Sequence, residues 1–322
     1  MAGAMYYTIR HVTRFRYSNP ISESMMEVRK QPRTEGDQRC LSFDITTKPK
    51  SKVLVYYDSQ GNTVHHFGIP RAHTQLEIIT QAYVENRIQA PADDLMLDLN
   101  TWQGLEDHAL NGHDWDYLNS SQFVHSTDLL QAFANEIGLS KQLDPLTLIR
   151  QITQAIYDKF EYVPQSTRAD SPIDEALATR RGVCQDYTHI MLSLLRWLQI
   201  PARYVSGYLF HRTDDSVRSA ADASHAWVEA WLPSLGWVGF DPTNNVVVAD
   251  RHIRVALGRD YADVPPTHGI FKGETQSTLE VAVQVCLADE PLQADQPSKL
   301  EGWSVVEGGD VAAVLQQMQQ QQ

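Results

Sequence analysis

Cys184 is the residue best placed to do chemistry in this chain. The run Arg181-Gly182-Val183-Cys184-Gln185-Asp186-Tyr187 puts a thiol where a glycine-led turn enters a long apolar segment, Thr188 to Leu198. The first N–H groups of a helix have no internal acceptor and carry partial positive charge. A thiolate placed there is stabilised and is a better nucleophile at neutral pH. The same N–H groups can supply half of an oxyanion hole, and Gly182 leaves room for a substrate carbonyl. The competing reading is a small buried hydrophobe, the commoner fate of a cysteine. The helix-start position and the neighbours Gly182, Gln185 and Asp186 favour the nucleophile.

A thiol nucleophile needs a base, usually a histidine oriented by a carboxylate or amide. His225 opens the apolar run His225-Ala226-Trp227-Val228-Glu229-Ala230-Trp231, and Asp241 ends the next one, Trp237 to Asp241. On strands, His225, Trp227, Glu229 and Trp231 share one face, as do Trp237, Gly239 and Asp241. A hairpin loop of five residues, Leu232 to Gly236, pairs Trp231 with Trp237. Asp241 then lies opposite Trp227 and diagonal to His225, roughly 7–8 Å away at Cα and within side-chain reach. A four-residue loop would put the two on opposite faces.

Other histidines compete poorly. His189 follows Cys184 by five residues on one helix, roughly 140° around its axis, and reads as an interior or supporting histidine. His211, His252 and His268 fall in segments read as loops, with no strand partner. No HExxH pattern is present, which argues against a metal hydrolase.

These residues need elements to hold them. The apolar alternation of Tyr6 to Tyr17, Lys52 to Tyr57, Thr63 to Ile69 and Leu76 to Val84, with Asp58-Ser59-Gln60-Gly61-Asn62 as a hairpin turn, predicts a small β-sandwich. Residues 91–126 have no clean period and read as a bridge. Helical spacing then predicts helices from Thr127 to Ile137 (stopped by Gly138), from Asp144-Pro145 to about Phe160, over 172–179 after a Ser171 cap, and from Cys184 to Leu198. The last is apolar on nearly every face, so it should be a core helix. Strands follow at Ala202 to Phe210, His225 to Leu232 and Trp237 to Asp241. A polar loop, His211 to Ser224, lies between the first two. Ser277 to Leu287 reads as a strand, and a glutamine-rich tail closes the chain. The divisions are 1–120 for the β-sandwich with its bridge, 121–265 for a catalytic core, and 266–322 for the last strand and tail.

The 322 residues carry 27 Lys plus Arg against 40 Asp plus Glu, a net charge of −13, which repels nucleic-acid backbones. No apolar run approaches a membrane span, and Met1 to Tyr17 lacks a signal-peptide core. Cys40, Cys184 and Cys286 form no CxxC pair, which argues against a zinc knuckle or a disulfide scaffold and suits the reduced cytoplasm.

The blocks Arg181 to Tyr187, Gly207-Tyr208, Ser224 to Glu229 and Gly239 to Thr243 resemble the transglutaminase-like superfamily in the order Cys, His, Asp. The first 85 residues and Gly258 to Pro266 resemble the flanks of its bacterial members. The resemblance implies an α+β fold: an N-terminal β-sandwich, then a papain-like core in which helices carrying the cysteine pack on an antiparallel sheet carrying His and Asp. It implies Cys184 as nucleophile, His225 as base and acid, and Asp241 as its orienter. The tryptophan that animal transglutaminases use for the oxyanion has no match between Trp115 and Cys184. Tyr162 and Gln165 are the candidates to replace it. Gln185 and Trp227 are candidates for the groove around the thiol, with core packing against the central helix as the alternative for Trp227. Arg203 could anchor an acidic partner or only the fold. No EF-hand loop is present, so no metal or cofactor is expected. The implied activity is thioester-forming hydrolysis of peptide or carboxamide bonds by a cysteine protease or amidase. Transfer to an amine and an idle protein-binding scaffold are the alternatives. Peptides or proteins are the implied substrates, and association with ATP-grasp-like proteins in related bacteria implies a peptide-forming or peptide-trimming pathway.

Overall fold

The first 90 residues form six strands, four of them on the alternating runs: β1 (Met5–Ile21), β2 (Glu23–Val28), β3 (Gln38–Lys48), β4 (Leu54–Tyr57), β5 (Thr63–Ile69) and β6 (His73–Asn86). The computed structural model describes residues 4–98, 100–112, 114–212, 218–219 and 224–288. The glutamine-rich tail and most of the expected loop after His211 lie outside those residues. The β4–β5 turn forms where expected: Asp58 Oδ1 accepts from the backbone N–H of Gln60 and Asn62, and Gly61 takes a positive φ of 72°. Strands β2 and β3 were not expected from the sequence.

The rest of the chain forms α1 (Thr101–Asn111), α2 (Asp128–Glu136), α3 (Pro145–Lys159), β7 (Glu161–Tyr162), α4 (Ile173–Thr179), β8 (Arg181–Gly182), α5 (Cys184–Trp197), β9 (Ala202–Leu209), β10 (His225–Leu232), β11 (Gly236–Asp241), β12 (Val246–Val247), β13 (His252–Gly258), β14 (Thr267–Lys272) and β15 (Ser277–Leu287). Two four-stranded sheets, ordered β15-β1-β6-β3 and β14-β2-β5-β4, make an N-terminal sandwich around Phe15, Met26, Phe67, Leu76 and Ile78. The chain thus returns after the core to give each sheet an edge strand, β14 and β15. A five-stranded sheet, β12-β11-β10-β9-β13, carries the core helices. The architecture is α+β, as expected. No described helix is long and apolar enough to cross a membrane.

Local signals explain the helices. Thr127 caps α2 by accepting from Leu130 N–H, and Gly138 ends it with φ 65°. Asp144 accepts from the N–H groups of Leu146 and Thr147 at the start of α3. Helix α4 starts one residue later than its Ser-Pro pair suggests: Pro172 is the cap, and Ser171 Oγ instead accepts from Arg168 N–H. Every residue of α5 from Asp186 to Arg196 is buried. It lies on the face of the sheet that presents Ala226, Val228 and Ala230.

The segment read as a bridge contains α1 and covers the other face. His108 stacks on Trp231 with ring centroids 3.7 Å apart, and Tyr117 meets Trp237 edge-on. Arg203 lies over the Trp237 ring and is paired with buried Glu229 at 2.7 Å, so it serves the fold.

Strand β13 ends the core sheet, and its outer edge would be unpaired. Three fully buried amides of the sandwich satisfy it. Gln38 accepts from Arg254 N–H and donates to Arg254 C=O, both at 2.8 Å. Asn62 does the same for Leu257, both at 2.8 Å. Asn86 donates to the carbonyls of Asp250 and His252 at 2.8 Å. Replacing Gln38 with Leu, close in volume, orphans the Arg254 N–H, while the Arg254 carbonyl keeps the Arg33 N–H at 3.0 Å. That orphan should cost about 1–3 kcal/mol, read as a lower urea midpoint for the whole chain. A loss below about 0.5 kcal/mol, ordinary for a surface change, would show that the edge does not need the amide.

Candidate active site

Cys184 is the first residue of α5, preceded by the extended Val183. Valine cannot cap a helix with its side chain. The turn is closed from the other direction: Asp186 Oδ2 accepts from Val183 N–H at 2.8 Å and from the Thr167 hydroxyl at 2.6 Å. Burial raises the Asp186 pKa, and these two donors pull it back. Gly182 sits against this carboxylate; a Cβ there would lie 3.0 Å from Asp186 Oδ2. The thiol is half-buried and forms no disulfide.

The hairpin forms in the expected register. Trp231 pairs with Trp237 and Val228 with Phe240, so Asp241 falls one step further, opposite Trp227. His225 Nε2 is 2.7 Å from Asp241 Oδ2, with both side chains buried. An ionised carboxylate only accepts, so Nε2 carries the proton. Nδ1 is then the ring atom left for a thiol, and no bond of ordinary geometry occupies it among the described residues. The Cys184 side chain is near enough to hydrogen-bond this imidazole. Burial opposes charge on His225, but the charge and hydrogen bond of Asp241, and then Cys184, outweigh it and raise the pKa. Asp241 is held far below the ordinary carboxylate range: burial alone would raise it, and His225 and His252 overcome that.

His252 corrects the sequence reading. It begins strand β13, pairs with Leu209 of β9, and places Nε2 3.2 Å from Asp241 Oδ2. Asn244, also not anticipated, donates Nδ2–H to Oδ2 at 2.7 Å, and the N–H groups of Thr243 and Asn244 reach Oδ1 at 3.0 and 3.3 Å. An Asp-Pro pair turning back on its own backbone is a legible local signal for the last two. His225, Asp241 and His252 offer three donor atoms within 4.8 Å. A cation there would have to replace both N–H···O bonds, so the group reads as a hydrogen-bonded set.

His189 is interior, as expected. It stacks on Phe123, and Nε2 accepts from Tyr261 N–H at 3.2 Å. Burial, with Arg196 nearby, lowers its pKa to about 3. Tyr162 on β7 pairs with Gly182, two residues before the thiol. It also lines a surface cavity of about 640 Å³ with Phe160, Arg181 and Arg218. Gln165 follows in a turn with φ 62°. Gln185 gives its amide to Ala169 C=O at 2.9 Å. Trp227 does not line an open groove: it is fully buried with Val205, Val248 and Leu257, on the sheet face away from α5. Its ring meets His252 edge-on at 5.2 Å and backs His225 at 6.1 Å.

Fold and site together define an α+β protein in which a helix start presents a thiol to an imidazole and carboxylate held on an antiparallel sheet. Residues 131–242 match the transglutaminase-like superfamily, and residues 7–85 match the bacterial transglutaminase-like N-terminal region. An uncharacterized protein of Mycobacterium leprae is 32% identical over 276 residues, covering 85% of this chain and 96% of its own. The chain belongs to the transglutaminase-like superfamily. A Pseudomonas aeruginosa protein named protein-glutamine gamma-glutamyltransferase is 26% identical over 254 residues, 72% of this chain but 35% of that protein. A crystal structure from Cytophaga hutchinsonii, named as a candidate cysteine protease, shares the fold: TM-score 0.69, 22% identity, 91% of this chain and 93% of that one covered.

Gly207 pairs with His225 across β9 and β10. A Cβ at Gly207 would lie 2.2 Å from Ile253 O and 2.5 Å from Trp227 Cη2. Gly207→Ala must therefore displace the indole that backs both histidines. It should destabilise by about 1–3 kcal/mol, measured by thermal melting, with altered tryptophan fluorescence. Unchanged melting would contradict this close approach.

Proposed function

We propose that the protein is a cysteine amide hydrolase acting on peptides or protein side-chain carboxamides. The observation that carries this is the His225 ring, whose Nε2–H is fixed on buried Asp241 while its buried Nδ1 has no partner of ordinary geometry among the described residues and Cys184 interacts with the ring. Cys184 gives its proton to His225 Nδ1 and attacks the carbonyl carbon. The oxyanion is met by N–H groups at the start of α5. The C–N bond breaks, the amine or ammonia takes the proton from His225, and a thioester remains. Water then gives a proton back to His225, attacks the thioester and releases the carboxylic acid. Gln185 is committed to Ala169, so Tyr162 and Gln165 are the side-chain candidates for the second oxyanion donor. Asp241 orients His225 and stabilises its imidazolium. A second reading, transfer of the acyl group to a primary amine, draws support from the name of the Pseudomonas relative. We place the protein in a reducing compartment such as the cytoplasm, in keeping with three unpaired thiols.

Burial pushes the Cys40 thiol up to about 11 and raises Cys286 as well. Iodoacetamide near pH 7 should therefore label Cys184 rapidly and spare the other two, read by peptide mass spectrometry. Equal labelling of all three would remove the nucleophile. Asp241→Asn should slow labelling and turnover by roughly 10²- to 10⁴-fold, the range for losing an orienting carboxylate. Incubation with peptide libraries, with and without a primary amine, separates the outcomes by mass: cleavage or deamidation for hydrolysis, an amine adduct for transfer. An inert Cys184 with neither product would leave a binding scaffold.

A further inference from the structure

We propose that His252 is a positioning residue: it shares Asp241 Oδ2 with His225 and so limits how strongly that carboxylate holds the working imidazole. The inference rests on the reading of Cys184, His225 and Asp241 as the reacting set.

Asp241 Oδ2 receives three donors, His225 Nε2 at 2.7 Å, Asn244 Nδ2 at 2.7 Å and His252 Nε2 at 3.2 Å. With Asp241 ionised, each imidazole must present an N–H to it. Every added donor draws charge from that oxygen and leaves less for the imidazolium of His225. His252 cannot itself be the base for the thiol. Its Nε2 is committed, its Nδ1 is buried without a partner among the described residues, and burial keeps the ring neutral. A buried, unpaired ring nitrogen is costly. An apolar ring would fill the same space without that cost, so the bond to Asp241 is what the histidine contributes.

The ring is fixed from all sides. Its backbone N–H bonds to Ala249 C=O at 3.1 Å, its carbonyl accepts from Asn86 of the sandwich at 2.8 Å, and Trp227 packs edge-on. The charged or titratable groups acting on it are Asp241 from β11, His225 from β10 and Arg251 beside it in sequence. Cys184 from α5 acts on His225. Leu209 of β9 and Asn86 of β6 are neutral.

The full chain is compared with His252→Phe, which removes the donor, and His252→Gln, whose amide nitrogen can reach the Nε2 position. The readout is the pH profile of iodoacetamide alkylation at Cys184. A thiolate–imidazolium pair gives an alkaline inflection when His225 loses its proton. In His252→Phe that inflection should move up by about 0.5–1 unit, roughly a 3- to 10-fold gain in proton affinity, and His252→Gln should restore it. If His252→Phe does not fold, as judged by circular dichroism, His252→Asn, too short to reach Oδ2, takes its place with the same expectation. A uniformly slower profile with an unmoved inflection, or the same shift in His252→Gln, would overturn the assignment. A wild-type profile with one ordinary thiol titration would instead overturn the reacting set itself.

Discussion

A carboxylate with no solvent exposure organises this molecule. Asp241 must find in protein donors what it loses in water, because an uncompensated buried charge costs several kcal/mol. It draws in two backbone N–H groups, one amide and two imidazoles. Those demands fix where the strands carrying His225 and His252 can lie. The orientation of the ring that meets the thiol is therefore a by-product of solvating one anion. The tight turn that follows Asp241 serves the same need from within its own sequence.

The thiol is supplied by an unrelated device. Helix α5 is held deep in the core by apolar residues on every side, and its first turn is tied to the loop before it by Asp186 and Thr167. At one end of the helix–sheet contact, His225, the first residue of its strand, comes near Cys184, the first residue of α5. Below that point the two layers are joined by small residues, Ala226 and Ala230, which let α5 come close.

Much of this was legible in the sequence. Period two fixed which residues of β10 and β11 share a face, the five-residue loop that the structure adopts selected between the two registers left open, and the Cys-bearing helix followed from its apolar girth. The capping pair Asp144-Pro145 gave α3 its start, and Gly138 gave α2 its end. Other parts lacked a signal for physical reasons. Strand β3 is mostly exposed or half-exposed, so no apolar period marks it. Helix α1 contains Gly104 and buries only Trp102 and Leu105. The part of His252 in the site depends on a strand two places removed from β10 in the sheet. Its own neighbours, Arg251 and Ile253, say nothing of Asp241. Trp227 had the right face but the wrong layer: period two told which residues travel together, and only the packing of α5 decides which side faces the helix.

The amides of Gln38, Asn62 and Asn86 close the flank of β13, a task usually given to another strand. Discrete side chains, unlike a strand, cannot slide along a neighbour, so they pin the two halves in a single relative alignment. They also make those halves inseparable. A fragment cut free after residue 90 would bare a row of hydrogen-bonding main chain, and its readiest remedy would be the same row on another such fragment. Aggregation, rather than a smaller working protein, is the expected product of that surgery.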